Sequence, residues 1–234
     1  MRAVFPAGRR GGELMSGVTE TAPGGLFSVT ERVPRSALAS CAMVPLTPEL
    51  VLRAYCLGLF PMARGRHGPI EWYRPDPRAV FDPQRVHVPR SLRRTVRRGR
   101  FEVRVNTDFA GVIAACADRP DTWISAEIER VYRELHALGF AHSVEAYQDG
   151  QLVGGLYGVA LGGAFMGESM FHRVSDASKV CFVHLVERLR ERGFVILDTQ
   201  FMTPHLARFG AFYVSAAEYE AILAHALRLP CRFV

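Results

Sequence analysis

One carboxylate lies within a stretch of small and apolar residues, AFMGESMF at 164–171, that is typical of a buried β-strand. Burying an ionised carboxylate without a partner is costly, so Glu168 is expected to have either a partner or a chemical purpose. Because side chains alternate across a strand, Met166, Glu168 and Met170 are predicted to share one face. The stretch therefore predicts a carboxylate beside an apolar surface.

A second predicted strand, FVILDTQF at 194–201, carries Asp198 and Gln200 on one face. If both strands turn these groups to the same side, Glu168, Asp198 and Gln200 converge on one polar spot bordered by methionine and phenylalanine. Such a spot would hold a cationic or amine ligand, or manage a proton. The alternative for each carboxylate is a structural role, in an ion pair with an arginine or in hydrogen bonds from backbone amides.

The order of the elements around these strands indicates the fold class. AHSVEAY and LVGGLYGVAL flank a QDGQ turn, which is typical of a β-hairpin, and the strand at 164–171 follows them. The helix DASKVCFVHLVERLRER then leads to FVILDTQF, so these two strands are predicted to be parallel. An antiparallel sheet leading into one βαβ unit is the order of N-acetyltransferase-like (GNAT-like) domains. We therefore expect an α+β fold with a mixed sheet.

The chain divides by composition into three regions. Residues 1–44 are rich in Gly, Pro, Ser, Thr and Arg without a sustained period, and are expected to be a disordered extension. Residues 45–80 hold a capped helix, TPELVLRAYCLG, and a proline-rich segment expected to form an irregular small N-terminal domain. Residues 81–234 hold the regular elements and are expected to form the catalytic domain.

The length, composition and charge of the chain exclude several classes of protein. A chain of 234 residues with 49% hydrophobic content can bury a full core, and its net charge of +6 favours an anionic partner. No apolar run reaches the length of a membrane span, and the five cysteines lack metal-ligand spacing. We therefore expect a cytoplasmic protein with no membrane partner, metal site or disulfide framework.

A dense group of arginines follows the proline-rich segment. Residues 85–104 contain eight arginines and one acid, Glu102. If 90–98 is helical, five of the arginines form a stripe along one side: Arg90, Arg93, Arg94, Arg97 and Arg98. The stripe favours a nucleic-acid backbone as partner, and the alternative is a solvated surface face.

Other functions fit parts of the sequence. An acyl-CoA-dependent N-acetyltransferase would suit the fold, but HRVSDASKV, where the crossover helix begins, lacks a glycine-rich turn for pyrophosphate, and Asp176 would repel one. A non-catalytic RNA-binding module would explain the arginines but not the polar strand residues. A thiol enzyme built on Cys116 is a third alternative, although the apolar helix AGVIAACA favours core packing for this residue.

Motifs spread along the chain resemble, in order, those of the leucyl/phenylalanyl-tRNA–protein transferase family. They include LRAYCLGLFPM, WYRPDPR, HVPRSL, AHSVE, LVGGLYGV, GESMF and LDTQF, and the resemblance covers roughly residues 46–215. It implies an aminoacyltransferase that moves leucine or phenylalanine from aminoacyl-tRNA to proteins with N-terminal Arg or Lys, marking them for degradation. It also implies a small N-terminal domain beside an N-acetyltransferase-like one.

The resemblance assigns roles to individual positions. It implies a catalytic centre formed by Asp198 and Gln200 with Glu168 beside it. The positions that match a pocket for the donor's apolar side chain are Phe165, Met170 and Leu156. The positions that match a basic cluster meeting tRNA are Arg90, Arg94, Arg97 and Arg98.

Three positions depart from the family's pattern. Many members have tryptophan after the FP pair, packed on the terminal adenosine, whereas this chain has Met62, so stacking is expected either to pass to Trp72 or Tyr73 or to be weaker. CAMVPLTPEL replaces a glycine-rich GGDL segment, and His172 replaces a serine. None of these departures falls on either of the two acids, Glu168 and Asp198.

The chemistry expected at this centre needs no cofactor, because an aminoacyl ester is already activated. We predict that Asp198 orients and polarises Gln200, whose amide oxygen accepts a hydrogen bond from the attacking α-amine. Glu168 is predicted to hold the acceptor end or the donor's amino group. A pocket that distinguishes side chains by one methylene discriminates by only about 1–3 kcal/mol, so methionine is expected as a further donor. The expected form is a monomer.

Overall fold

The structure is a computed structural model that describes residues 45–234. The extension expected at 1–44 lies outside the described residues. In chain order the elements are α1 (Pro48–Cys56), β1 (Phe60–Ala63), β2 (Ile70–Tyr73), β3 (Arg78–Phe81), α2 (Arg90–Arg97), β4 (Glu102–Val105), α3 (Phe109–Ala117), α4 (Ala126–Ala137), β5 (Ala141–Gln148), β6 (Gln151–Leu161), β7 (Ala164–His172), α5 (Ala177–Glu191), β8 (Ile196–Gln200), α6 (Pro204–Arg208), β9 (Phe212–Val214) and α7 (Ala216–Ala226). None of the helices in this part of the chain has the length and apolarity that a membrane span needs.

Seven strands form one mixed sheet in the order β4-β5-β6-β7-β8-β3-β9. Neighbours are antiparallel except β7 and β8, which are parallel and joined by α5. β1 and β2 form a separate antiparallel pair. The predicted fold class is confirmed: an α+β protein whose antiparallel strands lead into one βαβ unit, as in N-acetyltransferase-like domains.

Local sequence signals account for the element boundaries. Thr47 caps α1 by accepting a hydrogen bond from the backbone of Leu50, and Ser215 and Glu218 form the predicted capping box of α7. Asp149 and Gly150 both have positive φ, 51° and 75°, as a two-residue hairpin turn between β5 and β6 requires. These elements lie where the sequence predicts them.

The proline-rich segment is more regular than predicted. It contains β1 and β2 and ends in β3, which lies inside the large sheet between β8 and β9. Strands of four residues are too short to show a hydrophobic period, and here the neighbouring strands stabilise them. The division expected at residue 80 therefore falls within a strand of the large sheet.

The helices cover the two faces of the sheet. The face that packs against α1, α3, α4 and α7, called here the α4 face, buries residues such as Met166 and Ile196. The other face, called the α5 face, packs against α2, α5 and α6 and buries Phe165 and Leu197. Adjacent residues of β7 and β8 thus enter different core layers.

A β-bulge at Glu168 changes which side chains share a face. Tyr157 lies opposite Ser169 and Gly158 lies opposite Gly167, so Glu168 has no residue opposite it in β6. Met166 packs on the α4 face, whereas Met170 packs on the α5 face. The prediction that Met166, Glu168 and Met170 share one face was therefore wrong for Met170, because strict alternation does not anticipate an extra residue.

The pairing between β7 and β8 is short. Only Ala164–Met166 lie opposite Ile196–Asp198, and both strands continue beyond this point without pairing to each other. The bulge follows immediately in β7, and a bulge bends the strand that contains it. The sheet therefore opens between the carboxyl ends of these two parallel strands.

Candidate active site

A cavity of about 270 Å³ lies where β7 and β8 part. Both core layers contribute to its largely apolar wall: Phe60, Met62, Trp123, Leu156, Tyr157, Met170, Phe182, Leu185, Leu197, Phe201 and Leu206. The polar side chains on the wall are few: Glu168, Ser169, Thr199, Gln200, Thr203 and His205. An apolar hollow with a few convergent polar groups is the usual form of a small-molecule site.

Three side chains surround the carboxylate of Glu168, and two of them donate hydrogen bonds to it. The Tyr55 hydroxyl donates to Oε1 at 2.6 Å, and Nε2 of Gln200 donates to the same oxygen at 3.3 Å. The Tyr132 hydroxyl lies 3.4 Å from Oε2 and 2.5 Å from the Tyr55 hydroxyl. The bulged residue is thus held by two helices and by the neighbouring strand.

Burial raises the pKa of Glu168 to about 8; the hydrogen bond from Tyr55 opposes this rise, and the nearby charge of Asp198 adds to it. At pH 7 the ligand-free carboxyl group is therefore mostly protonated. A cationic group placed against it would favour the charged form and release the proton. Glu168 can thus exchange a proton with a bound amine.

Asp198 forms a buried ion pair with Arg78. Nε of Arg78 donates to Oδ1 at 3.0 Å and Nη2 donates to Oδ2 at 2.6 Å, with both side chains only 1% exposed. The Tyr219 hydroxyl also donates to Oδ2, at 2.8 Å. Every polar contact of this carboxylate is therefore internal, and Asp198 does not line the cavity.

The Arg78 guanidinium is also fully enclosed. Nη1 donates to the carbonyl oxygen of Gly58 at 2.7 Å, and the rings of Phe60 and Tyr219 lie 4.9 and 4.3 Å from its central carbon. Burial, the largest single influence, would by itself lower the pKa of Arg78, but the charge and hydrogen bonds of Asp198 together with the nearby Tyr219 and Glu168 outweigh burial, and the pKa is raised. The side chain stays charged and connects β3, β8 and the segment after α1.

Asp198 also fixes the backbone of Gln200. Its Oδ1 accepts a hydrogen bond from the Gln200 backbone N–H at 2.9 Å, and Gln200 has a φ of 59°. A residue other than glycine rarely adopts this left-handed conformation unless its surroundings impose it. The expectation that Asp198 polarises the Gln200 side chain is not met, because its contact is to the backbone and the side chain bonds Glu168.

The three polar residues singled out in the sequence therefore meet at one place. Glu168 and Gln200 are in direct contact on the cavity wall, and Asp198 lies behind Gln200. Asp198 also has the structural role considered as the alternative, because it forms an ion pair with Arg78 and accepts a hydrogen bond from the backbone amide of Gln200. Of these three residues, only Glu168 and Gln200 line the cavity.

The residues expected to bind substrate are divided between two locations. Leu156 and Met170 line the cavity. Phe165 does not line it: the side chain is fully buried on the α5 face, where its ring stacks on Phe233 at 5.1 Å. Phe165 precedes the bulge, and the residues of β7 on the cavity wall are Gly167, Glu168, Ser169 and Met170.

Trp72 and Tyr73, the residues expected to stack on adenosine, lie in β2 outside the cavity wall. Tyr73 stacks on Phe60 at 6.1 Å and donates a hydrogen bond to Glu71, and Trp72 packs against the core of the α4 face. The tryptophan on the wall is Trp123, in the loop before α4, which sequence reasoning missed. A loop has no hydrophobic period, so the sequence does not predict which way the side chain of Trp123 points.

The predicted basic stripe is present. α2 spans Arg90–Arg97 and buries Leu92 against the α5 face. The four arginines assigned to tRNA are all exposed, and within residues 45–234 none forms an ion pair: Arg90, Arg94, Arg97 and Arg98. These charges are free to meet an anionic partner.

Two alternatives lose support from the geometry. The start of α5 is packed against β6, since a Cβ placed on Gly154 would lie 2.5 Å from the Ala177 Cβ, and Ala177 and Ser178 are buried. A pyrophosphate has no space beside those amides. Burial raises the pKa of Cys116 to about 12, so this thiol is not a thiolate nucleophile at neutral pH.

Comparison with known proteins places the chain in a family. The model of the leucyl/phenylalanyl-tRNA protein transferase family matches residues 80–224, and the model of that family's N-terminal domain matches residues 45–76. The chain belongs to this family. It is an aminoacyltransferase, as the resemblance implied.

Individual relatives agree with the match. The leucyl/phenylalanyl-tRNA–protein transferase of Gloeobacter violaceus is 59% identical over 82% of this chain and 99% of its own length. That of Rubrobacter xylanophilus is 59% identical over 80% and 98%. The solved structure of L-PGS from Bacillus licheniformis matches over 55% of this chain and 47% of its own, with 14% identity and a TM-score of 0.41.

The raised pKa of Glu168 predicts a pH-dependent stability. The folded state binds a proton more tightly than the unfolded state, whose carboxyl group titrates near 4.5, so wild-type stability falls as pH rises from about 4.5 to about 8. The loss is expected to be several kcal/mol, up to roughly 5. Glu168→Gln should lack this component in urea unfolding at pH 5, 7 and 9.

Glu134→Gln is the matched control, because the side chain of Glu134 is half-exposed, at 45%, and forms an ion pair with Arg130 on the surface of α4. This variant should follow the wild-type pH dependence. Parallel curves for wild type and Glu168→Gln would contradict the assignment of a raised pKa to Glu168.

Proposed function

We propose that this enzyme transfers leucine or phenylalanine from aminoacyl-tRNA to the N-terminal α-amino group of proteins that begin with arginine or lysine. The observation that carries the proposal is the apolar cavity between β7 and β8, with Glu168 and Gln200 side by side at its polar edge. Membership of the family supports the donor and the reaction. The preference for a basic first residue rests on the resemblance to that family.

The apolar part of the cavity suits the donor's side chain. Leu156, Met170, Phe182, Leu185 and Leu197 offer apolar contacts and no charge. A pocket of this kind selects by buried area and shape, and a one-methylene difference is worth only about 1–3 kcal/mol. We therefore include methionine as a slower donor.

The RNA part of the donor has two candidate contact surfaces. Trp123 on the cavity wall, with Phe60 and Met62, is suited to stack on the terminal adenine, a role that we assign in place of Trp72 and Tyr73. The exposed arginines of α2 are suited to the phosphates of the tRNA. Together the two surfaces would hold the end of the tRNA and its backbone.

The transfer step needs little activation. The acceptor α-amine has a reference pKa of about 7.7–8.0, so a substantial minority is neutral at pH 7. Because Nε2 of Gln200 donates to Glu168, its Oε1 remains to accept a hydrogen bond from the attacking amine. The nitrogen forms a bond to the ester carbonyl carbon, the carbon–oxygen bond to the ribose breaks, and the amine's proton goes to the ribose oxygen. Gln200 acts by positioning, and Asp198 positions Gln200.

The product would carry leucine or phenylalanine at its N-terminus, and we propose that this residue is an N-degron that marks the protein for degradation. Aminoacyl-tRNA is made and used in the cytoplasm, so we place the reaction there. The cavity and α2 belong to one chain, and the proposal requires only a monomer.

A transfer assay tests the reaction directly. The wild-type protein is incubated with labelled Leu-, Phe- or Met-tRNA and model proteins that begin with Arg, Lys or Ala, with acetyl-CoA as the alternative donor. We expect rapid labelling of the Arg and Lys proteins from Leu- and Phe-tRNA, slower labelling from Met-tRNA, and none of the Ala protein. Gln200→Ala should reduce the rate by about 10²-fold or more at unchanged tRNA affinity. Acetylation without aminoacyl transfer would overturn the proposal.

The salt dependence of tRNA binding tests the basic surface. Arg94→Ala and Arg97→Ala should each weaken binding to different tRNAs equally and lower the slope of log K against log salt by about 1. The control is Arg53→Ala, which removes an exposed arginine already paired with Glu49 on α1. If all slopes are equal, the arginines of α2 are a solvated face.

A further inference from the structure

Tyr157 has a ring held rigidly beside the polar edge of the cavity. It lies in β6 and is fully buried on the α4 face. Its ring meets those of Tyr132 and Phe109 edge to face, with centroids 5.8 and 5.7 Å apart and interplanar angles of 84° and 76°. The position of its hydroxyl is therefore set by the core.

The hydroxyl of Tyr157 has no hydrogen-bond partner in the protein. Among buried side-chain nitrogen and oxygen atoms of residues 45–234, this is true only of Tyr157 Oη and Gln148 Oε1, and of the two residues only Tyr157 lines the cavity. An unsatisfied buried polar group is costly, and a phenylalanine would fill the same space without it. The transfer step proposed above does not use this hydroxyl. Its burial beside the cavity without a partner in the protein indicates that a ligand supplies the partner.

The free acceptor atoms near Tyr157 indicate which group that ligand presents. Oε1 of Glu168 already accepts hydrogen bonds from Tyr55 and Gln200, whereas Oε2 has only the 3.4 Å contact to Tyr132. The phenol oxygen of Tyr157 and Oε2 of Glu168 therefore remain as acceptors on two residues that line the same cavity. A primary ammonium group, which has three donors and no acceptor, matches them.

We propose that Tyr157 is a specificity residue that, with Glu168, binds the α-amino group of the donor aminoacyl ester. This inference rests on the proposed function and deepens it. The donor's side chain would lie against Leu156 and Met170, its α-amino group would meet Tyr157 and Glu168, and its carbonyl carbon would face Gln200. The site would then distinguish an aminoacyl ester from a plain acyl ester, and Gln200 would be left for the acceptor's amine.

The test compares two donors that differ only in the α-amino group: Phe-tRNA and the same tRNA esterified with 3-phenylpropionate. Tyr157→Phe removes the hydroxyl and retains the ring. We expect kcat/KM for Phe-tRNA to fall about 10- to 100-fold, the effect of losing one hydrogen bond to a charged group. The rate with 3-phenylpropionyl-tRNA should change by less than about twofold.

Two further measurements distinguish a ligand contact from a structural role. Tyr147→Phe, a phenol deletion in β5 away from the cavity wall, should alter neither rate. The unfolding temperature of ligand-free Tyr157→Phe should equal or exceed that of wild type, because the hydroxyl makes no internal hydrogen bond.

Three outcomes would overturn the proposal. Equal losses with both donors would assign the hydroxyl to the ester carbonyl instead, and no loss with Phe-tRNA would leave it without a substrate contact. A wild-type protein that transfers from no aminoacyl-tRNA would refute the proposed function and this inference with it. Transfer by wild type with a donor-independent effect of Tyr157→Phe would refute the inference alone.

Discussion

The buried ion pair between Arg78 and Asp198 is the constraint on which the rest of the site depends. It joins β3 to β8 at the last residue that β8 pairs with β7, and it reaches Gly58 after α1. Removing two charges from water is costly, and such a pair is weak evidence for added stability. Its value here is geometric: it holds Asp198, and Asp198 holds Gln200 in a left-handed backbone conformation at the edge of the cavity.

The cavity exists because two strands separate and one of them bulges. The separation lets apolar residues of the α5 face and aromatic residues of the α4 face line one hollow. The bulge places Glu168 among Tyr55, Tyr132 and Gln200, where burial keeps its carboxyl group mostly protonated until a cation arrives. A continuous sheet would keep the two layers apart and leave no cavity between β7 and β8.

Sequence reasoning reached the parts of this arrangement that depend on local signals. Capping residues such as Thr47 and Ser215, the Asp149–Gly150 turn and the crossover helix are short-range features, and they fixed the fold class and the meeting of Glu168, Asp198 and Gln200. The rest depends on contacts distant in sequence. Arg78 is 120 residues from its partner, and the bulge at Glu168 is an extra residue that alternation does not reveal, so the direction of Met170 was predicted wrongly. Trp123 lies in a loop, where no hydrophobic period predicts the direction of a side chain.

We propose that the opening between β7 and β8 holds the donor's amino acid with its side chain inward. The most direct measurement is a crystal structure with a hydrolysis-resistant mimic of the Phe-tRNA terminus, 3′-deoxy-3′-phenylalanylamino-adenosine. We predict the phenyl ring among Leu156, Met170 and Phe182, with the α-amino nitrogen about 2.7–3.2 Å from an oxygen of Glu168. A phenylalanyl group bound outside this cavity would contradict the proposal. So would a structure in which β7 and β8 pair along their full lengths and leave no opening for the ligand.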